Sequence, residues 1–250
     1  MLFIVSLVCV LILSLLFHKA IKRLPALFYA LTALVILVLF AAYFLTDYET
    51  WPEWFTYWVV AAFARGTLST SLFVIVMYLG VAGNNVPGAQ NLRAIRGELS
   101  ILGCILALGH NVYYGLYYFP NLFSGELPLV YLISTWMSLV LIAIMLPLTV
   151  TSVKAVRRRM RPLNWKRLQR WAYGFYALLY VDTMILFAAG LARSAANING
   201  LPPEIVQNQI MSDVISLVAY SAVFLPYFVL RILKALRDSK ARSTPALGET

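Results

Sequence analysis

Apolar runs of about 20 residues, the length a helix needs to cross a bilayer, alternate along this chain with short polar breaks. The first runs from Met1 to about Phe17 and is followed by HKAIKR. Pro25 opens a second run, which reaches about Leu45 and ends at TDYETWPEW, where Asp47, Glu49, Glu53 and two tryptophans suit a membrane interface. The next stretch, FTYWVVAAFARGTLSTSLFVIVMYLGVAG, is roughly one and a half spans long. Arg65 and Gly66 divide it into an interfacial portion and a span over about Thr67 to Gly83. NNVPG is a turn signal, and further spans are predicted at about Arg96–Phe119, Pro128–Val153, Leu168–Ala192 and Ile210–Leu230. Pro147 lies inside the fifth span and predicts a kink. The pattern as a whole predicts an all-α integral membrane bundle of about seven transmembrane helices.

Composition supports that class and excludes others. Of 250 residues, 62% are hydrophobic and only 12% charged, too few charges to cover a water-facing surface. Mean hydropathy is +0.80. The net charge of +10 raises the question of nucleic acid, but the basic residues sit in short runs between apolar spans. That is the pattern that orients helices in a membrane, so no nucleic-acid partner is implied. All Lys and Arg except Arg65 and Arg193 fall on one side of the bundle, and Asp47, Glu49, Glu53, Glu126, Glu204 and Asp213 on the other. The asymmetry predicts an N-out, C-in arrangement in the cell membrane, of the bacterial cytoplasmic kind. KAVRRRMRPLNWKRLQR, the most basic stretch, reads as an anchor to anionic lipid. The charges that follow the first run, rather than precede it, predict a retained helix and not a cleaved signal. Cys9 and Cys104 lie within apolar runs and read as packing residues. There is no GxGxxG, P-loop or HExxH pattern.

Two polar residues stand out at depth. His110 sits near the middle of the fourth span, and Asp182, in LLYVDTMILF, near the middle of the sixth. Both helices run in the same direction, so the two side chains are expected at similar depth. An acid at a bilayer centre costs ~2.5–3.5 kcal/mol on insertion scales and normally has a partner. The bland readings are a packing histidine and an acid hydrogen-bonded to a neighbouring Ser, Thr, Tyr or Trp. The functional readings are a cofactor site or a relay for protons or solutes, and the two side chains could also pair directly.

RAIRGELSILGCILALGHNVYYG, followed by LPLTVTSVKAVRRRMRPLNWKRLQRWAYGFYALLYVDTMILF, resembles the ferric reductase-like transmembrane family. The likeness covers about Gly66 to Leu191 and implies three parts. These are an additional N-terminal helix and cytoplasmic turn (1–24), a six-helix domain (25–232) and a basic, polar cytoplasmic tail (233–250). The family holds b-type haem between histidines of two helices and passes electrons across the membrane. On that likeness His110 matches the first ligand position and would be the metal ligand, while Gln169 and Asp182 stand where the family has histidines. Neither Gln nor Asp is a usual strong axial ligand. The resemblance implies the membrane subunit of an electron-transfer oxidoreductase, fed by quinol or a cytoplasmic donor. Its electrons would pass toward an extracytosolic flavin- or haem-bearing reductase. The alternatives are a haem-free anchor of a redox complex and a proton- or solute-conducting protein that uses His110 and Asp182.

Overall fold

The computed structural model describes residues 1–46, 50–83, 85–197 and 200–243, with side chains to residue 239. Asp47 and Glu49, expected at an interface, lie outside the described residues. The described chain is helical throughout, without a strand, and six of its helices are long and apolar enough to span a membrane. It is a multi-pass all-α membrane protein.

Helix α1 (Leu2–Arg23) and α2 (Pro25–Leu45) form a tight hairpin with only Leu24 between them. Pro25 disfavours helical geometry in the residue before it, so α1 stops there, and the same proline starts α2 at its first turn. The two helices then part company. Along α1, Leu2, Phe3, Ser6, Val10, Ser14 and Ile21 are buried, whereas no residue of α2 is. An exposed apolar helix of this kind is stable only against hydrocarbon, and α2 touches the bundle chiefly along α6.

After α2 comes a bent helix pair, which taken together is long and apolar enough for a seventh crossing. A π-helical turn (Phe55–Val60) continues into α3 (Ala61–Ala64), and α4 (Thr67–Leu79) follows at an angle of 56°. The break falls at the expected Arg65–Gly66 step. Gly66 has φ +67°, a left-handed conformation that strains residues bearing a Cβ. At 13 residues α4 is about 20 Å long, short of the ~30 Å hydrocarbon core, so it cannot cross alone. It is the most enclosed helix of the fold, with residues such as Ser71, Val74 and Met77 buried on different faces.

Short α5 (Ala89–Ala94) leads into α6 (Arg96–Tyr118), which packs closely on α4 because Gly103 lets the Phe73 ring approach. Next come α7 (Leu129–Val150), the short basic helices α8 (Lys154–Arg159) and α9 (Pro162–Gln169), and α10 (Trp171–Ala195). The last helix, α11 (Pro203–Ser243), is 41 residues long and contains Pro226. It continues well past the predicted end near Leu230, so the first part of the basic tail is helical. The core lies between α1, α4, α6, α7, α10 and α11, where Phe3 stacks on Tyr220 at 4.0 Å. Tyr78 donates 2.7 Å to the Val223 carbonyl, near the point where Pro226 interrupts the α11 ladder.

Candidate functional site

A cavity of about 700 Å³ runs between α4, α6, α7, α10 and α11. On each helix its lining follows the helical period. On α7 it is formed by Tyr131, Ser134, Thr135 and Ser138, and on α6 by Ala107, His110, Asn111 and Tyr114. The cavity extends along α10 from Asn197, at the α10–α11 turn, to Phe175. It stops there. One turn further along α4 and α11 stand Met77 and Phe224, each 1% exposed, with Tyr176 and Tyr227 packed beside them. The space is therefore a one-ended slot, with its mouth at the α10–α11 turn.

His110 lies beside the helix break. Its Nδ1–H donates to the carbonyl of Ala64, which the break has left without its helical partner, and its ring packs over Gly66. A Cβ at position 66 would come 3.2 Å from the ring carbon Cγ. This bond fixes the tautomer and leaves Nε2 as the ring nitrogen available to a ligand. Tyr114 meets the imidazole edge-on, with ring centroids 5.1 Å apart.

Asp182 is 7% exposed and lines the same cavity. Ser134 of α7 lies beside its carboxyl group, while Oδ1 has no hydrogen-bond partner in the protein. His110 and Asp182 thus share one cavity, as their spacing implies, but they form no ion pair. The ion pair among the described residues is Lys154–Glu98, at 2.6 Å, near the basic ends of the helices. Direct pairing of His110 with Asp182 gives way to two separate arrangements, the imidazole on the freed Ala64 carbonyl and the carboxyl beside Ser134.

Gln169 is not with them. Its Nε2 donates 3.3 Å to Thr151 Oγ1 and so ties α9 to the end of α7, and it does not line the cavity. At the mouth, Arg65 and Arg193 are exposed and act electrostatically on Asp213, whose carboxylate rests against Gly190. The Arg193 guanidinium lies 5.0 Å from the centre of the Tyr131 ring. Among the described residues no three His, Cys, Asp or Glu side chains converge as a metal site.

Sequence reasoning named the two deep residues but missed their surroundings. The polar stripe Tyr131, Ser134, Thr135, Ser138 was visible as an i, i+3, i+4, i+7 pattern on an otherwise apolar helix. The Ala64 carbonyl had no such signature, being a backbone atom.

Among known proteins, the chain is 38% identical over 176 residues to an uncharacterized protein of Treponema pallidum (strain Nichols). The match takes in 70% of this chain and 44% of that protein, so the chain spans less than half of its relative's length. No family profile and no solved structure matches the chain.

Proposed function

We propose that this protein binds a small solute within the membrane and serves its passage, using the slot that holds His110 and Asp182. The observation that carries this reading is the broken helix. An interrupted membrane helix exposes backbone polar groups that are tolerated only where protein or a water-filled cavity satisfies them. Such breaks form solute sites near the bilayer midplane in many transporters. Here the break opens onto the cavity through Gly66, Ser69 and Thr70, the start of α4, and one freed carbonyl is held by His110. A buried carboxyl oxygen without a partner belongs to Asp182, which lines the same space. On the charge pattern the mouth faces outside and the protein belongs to the cell membrane.

The test is water access. In a Cys9→Ala, Cys104→Ala background, a cysteine replacing Ser138 inside the slot should react with a small water-soluble thiol reagent. One replacing Val140 on the lipid-facing side of α7 should not. Equal protection of both positions would sink the reading.

A second reading, electron transfer, is favoured by the geometry of His110. Metal-bound histidines usually donate their second ring N–H to a carbonyl or carboxylate, as His110 does to Ala64. The donor set fits a b-type haem with one protein ligand, His110 Nε2. Asp182 would lie across the cavity as an oxygen ligand or as the holder of a water, and the exposed Arg65 and Arg193 at the mouth would suit the propionates. A haem there would supply one-electron storage between quinol and an external flavin- or haem-bearing partner. A reduced-minus-oxidised spectrum of the purified protein decides it. A b-type α band that vanishes in His110→Ala supports this reading, and a colourless protein removes it.

A further inference from the structure

We propose that the ligand of this slot carries an organic ammonium group, which pairs with Asp182 and lays its hydrocarbon against the aromatic side chains of the wall. The proposal rests on the solute-binding reading above and names the chemistry of the solute.

The anchor is the carboxyl of Asp182, more than nine-tenths buried in a residue that lines the cavity, with Ser134 beside the group and Oδ1 without a partner in the protein. A buried charge in low dielectric is tolerated when it is paired, and among the described residues no basic side chain forms an ion pair with Asp182. Its neighbours decide which cation. Thr135 and Thr183 donate their hydroxyl protons to the Tyr131 and Leu179 carbonyls of their own helices, at 2.6 and 2.8 Å. Those hydroxyl oxygens therefore present lone pairs, which suit N–H donors or polarised methyl groups. The apolar part of the wall includes Phe73, Phe175, Phe187, Leu179, Leu186 and Tyr220. Aromatic faces attract alkylammonium cations and accommodate their methylenes.

The other charged groups in the slot do not oppose this assignment. His110 is committed to Ala64 through its Nδ1–H. Arg65 and Arg193 stand at the exposed mouth, where Asp213 lies within their electrostatic reach. Arg193 is eleven residues from Asp182 along α10, about 16 Å by helical rise, beyond a Debye length at physiological salt.

The experiment uses the same Ser138→Cys protein. Position 138 is one turn deeper on α7 than Ser134, so a reagent entering from the mouth has to pass Asp182. Labelling rates are measured with trimethylammonium-ethyl methanethiosulfonate and its anionic sulfonatoethyl counterpart, each divided by its rate with a free thiol in solution. The ratio cancels the ionisation of the cysteine itself. A cation preference of about tenfold or more is expected from one carboxylate within several ångströms at low effective dielectric. Asp182→Asn should bring the ratio close to one, and Asp182→Glu should keep it.

A second measurement needs no change at Asp182. Tetramethylammonium chloride should slow labelling of the cysteine, and sodium chloride at the same concentration should not. A ratio that stays the same in Asp182→Asn overturns the ammonium site while leaving the solute reading standing. Protection by sodium equal to that by tetramethylammonium overturns it in favour of an inorganic ion. A cysteine that neither reagent reaches overturns the solute reading and this proposal together.

Discussion

A single backbone carbonyl explains most of what His110 does for the fold. The break at Gly66 frees the Ala64 oxygen, and the imidazole returns a donor to it. Gly66→Ala should therefore lower stability twice over. A left-handed conformation costs an L residue ~1–2 kcal/mol, and the new methyl would push on a ring 3.2 Å away. His110→Phe keeps an aromatic ring but strands the carbonyl, at about 1–3 kcal/mol for a buried unsatisfied group. Since both changes act on the same bond, their effects should be less than additive in a double-mutant cycle read by thermal unfolding in detergent. Strict additivity would mean that the ring and the break are energetically independent. Much of the site was legible at this scale, because a His and an Asp deep in apolar runs are conspicuous. What the two residues bind was not, since Ser134 looks like many other serines and a carbonyl belongs to every residue.

At the scale of elements, the connection from α7 to α10 is fixed by a few polar contacts at the basic end. Lys154 pairs with the buried Glu98 at 2.6 Å, and Trp165 Nε1 donates 3.2 Å to the Thr151 carbonyl. The Arg157 guanidinium lies 4.2 Å from the centre of the Trp165 ring. Lys154→Met leaves Glu98 charged and enclosed. Because Lys154 is itself 61% exposed, the loss should be ~1–3 kcal/mol rather than the full cost of breaking a buried pair. Adding Glu98→Gln should restore part of it, and a double variant worse than Lys154→Met would show that Glu98 has other work. Helix positions and the Arg65–Gly66 break could be read from the sequence, because hydropathy and glycine mark them. The 56° bend could not, and neither could the run of α11 to Ser243. Hydropathy locates where the membrane ends. It does not locate where a helix ends, and RILKALRDSKARS is rich in good helix formers beyond that border.

For the whole molecule, α1 and α2 have opposite roles that their similar apolar composition hides. Phe3→Ala should cost about 3–5 kcal/mol, since it removes a ring that is 4% exposed and stacked on Tyr220. Leu37→Ala on α2, at 64% exposure, should leave the unfolding temperature nearly unchanged. Similar losses at both sites would contradict this division between core and lipid face. The Phe3–Tyr220 contact has a consequence for how the protein is made. The partners lie more than two hundred residues apart in the sequence, on the first and last helices. At ribosomal speeds of about 5–20 residues per second, α1 waits on the order of 10–40 s between its own emergence and that of Tyr220. During that interval its buried face, with Ser6 and Ser14, has only lipid, its early neighbours or the insertion machinery to lean on. Biogenesis should therefore be sensitive to anything that holds or releases a lone early helix, and slowing translation just before α11 should lengthen its exposure to membrane proteases.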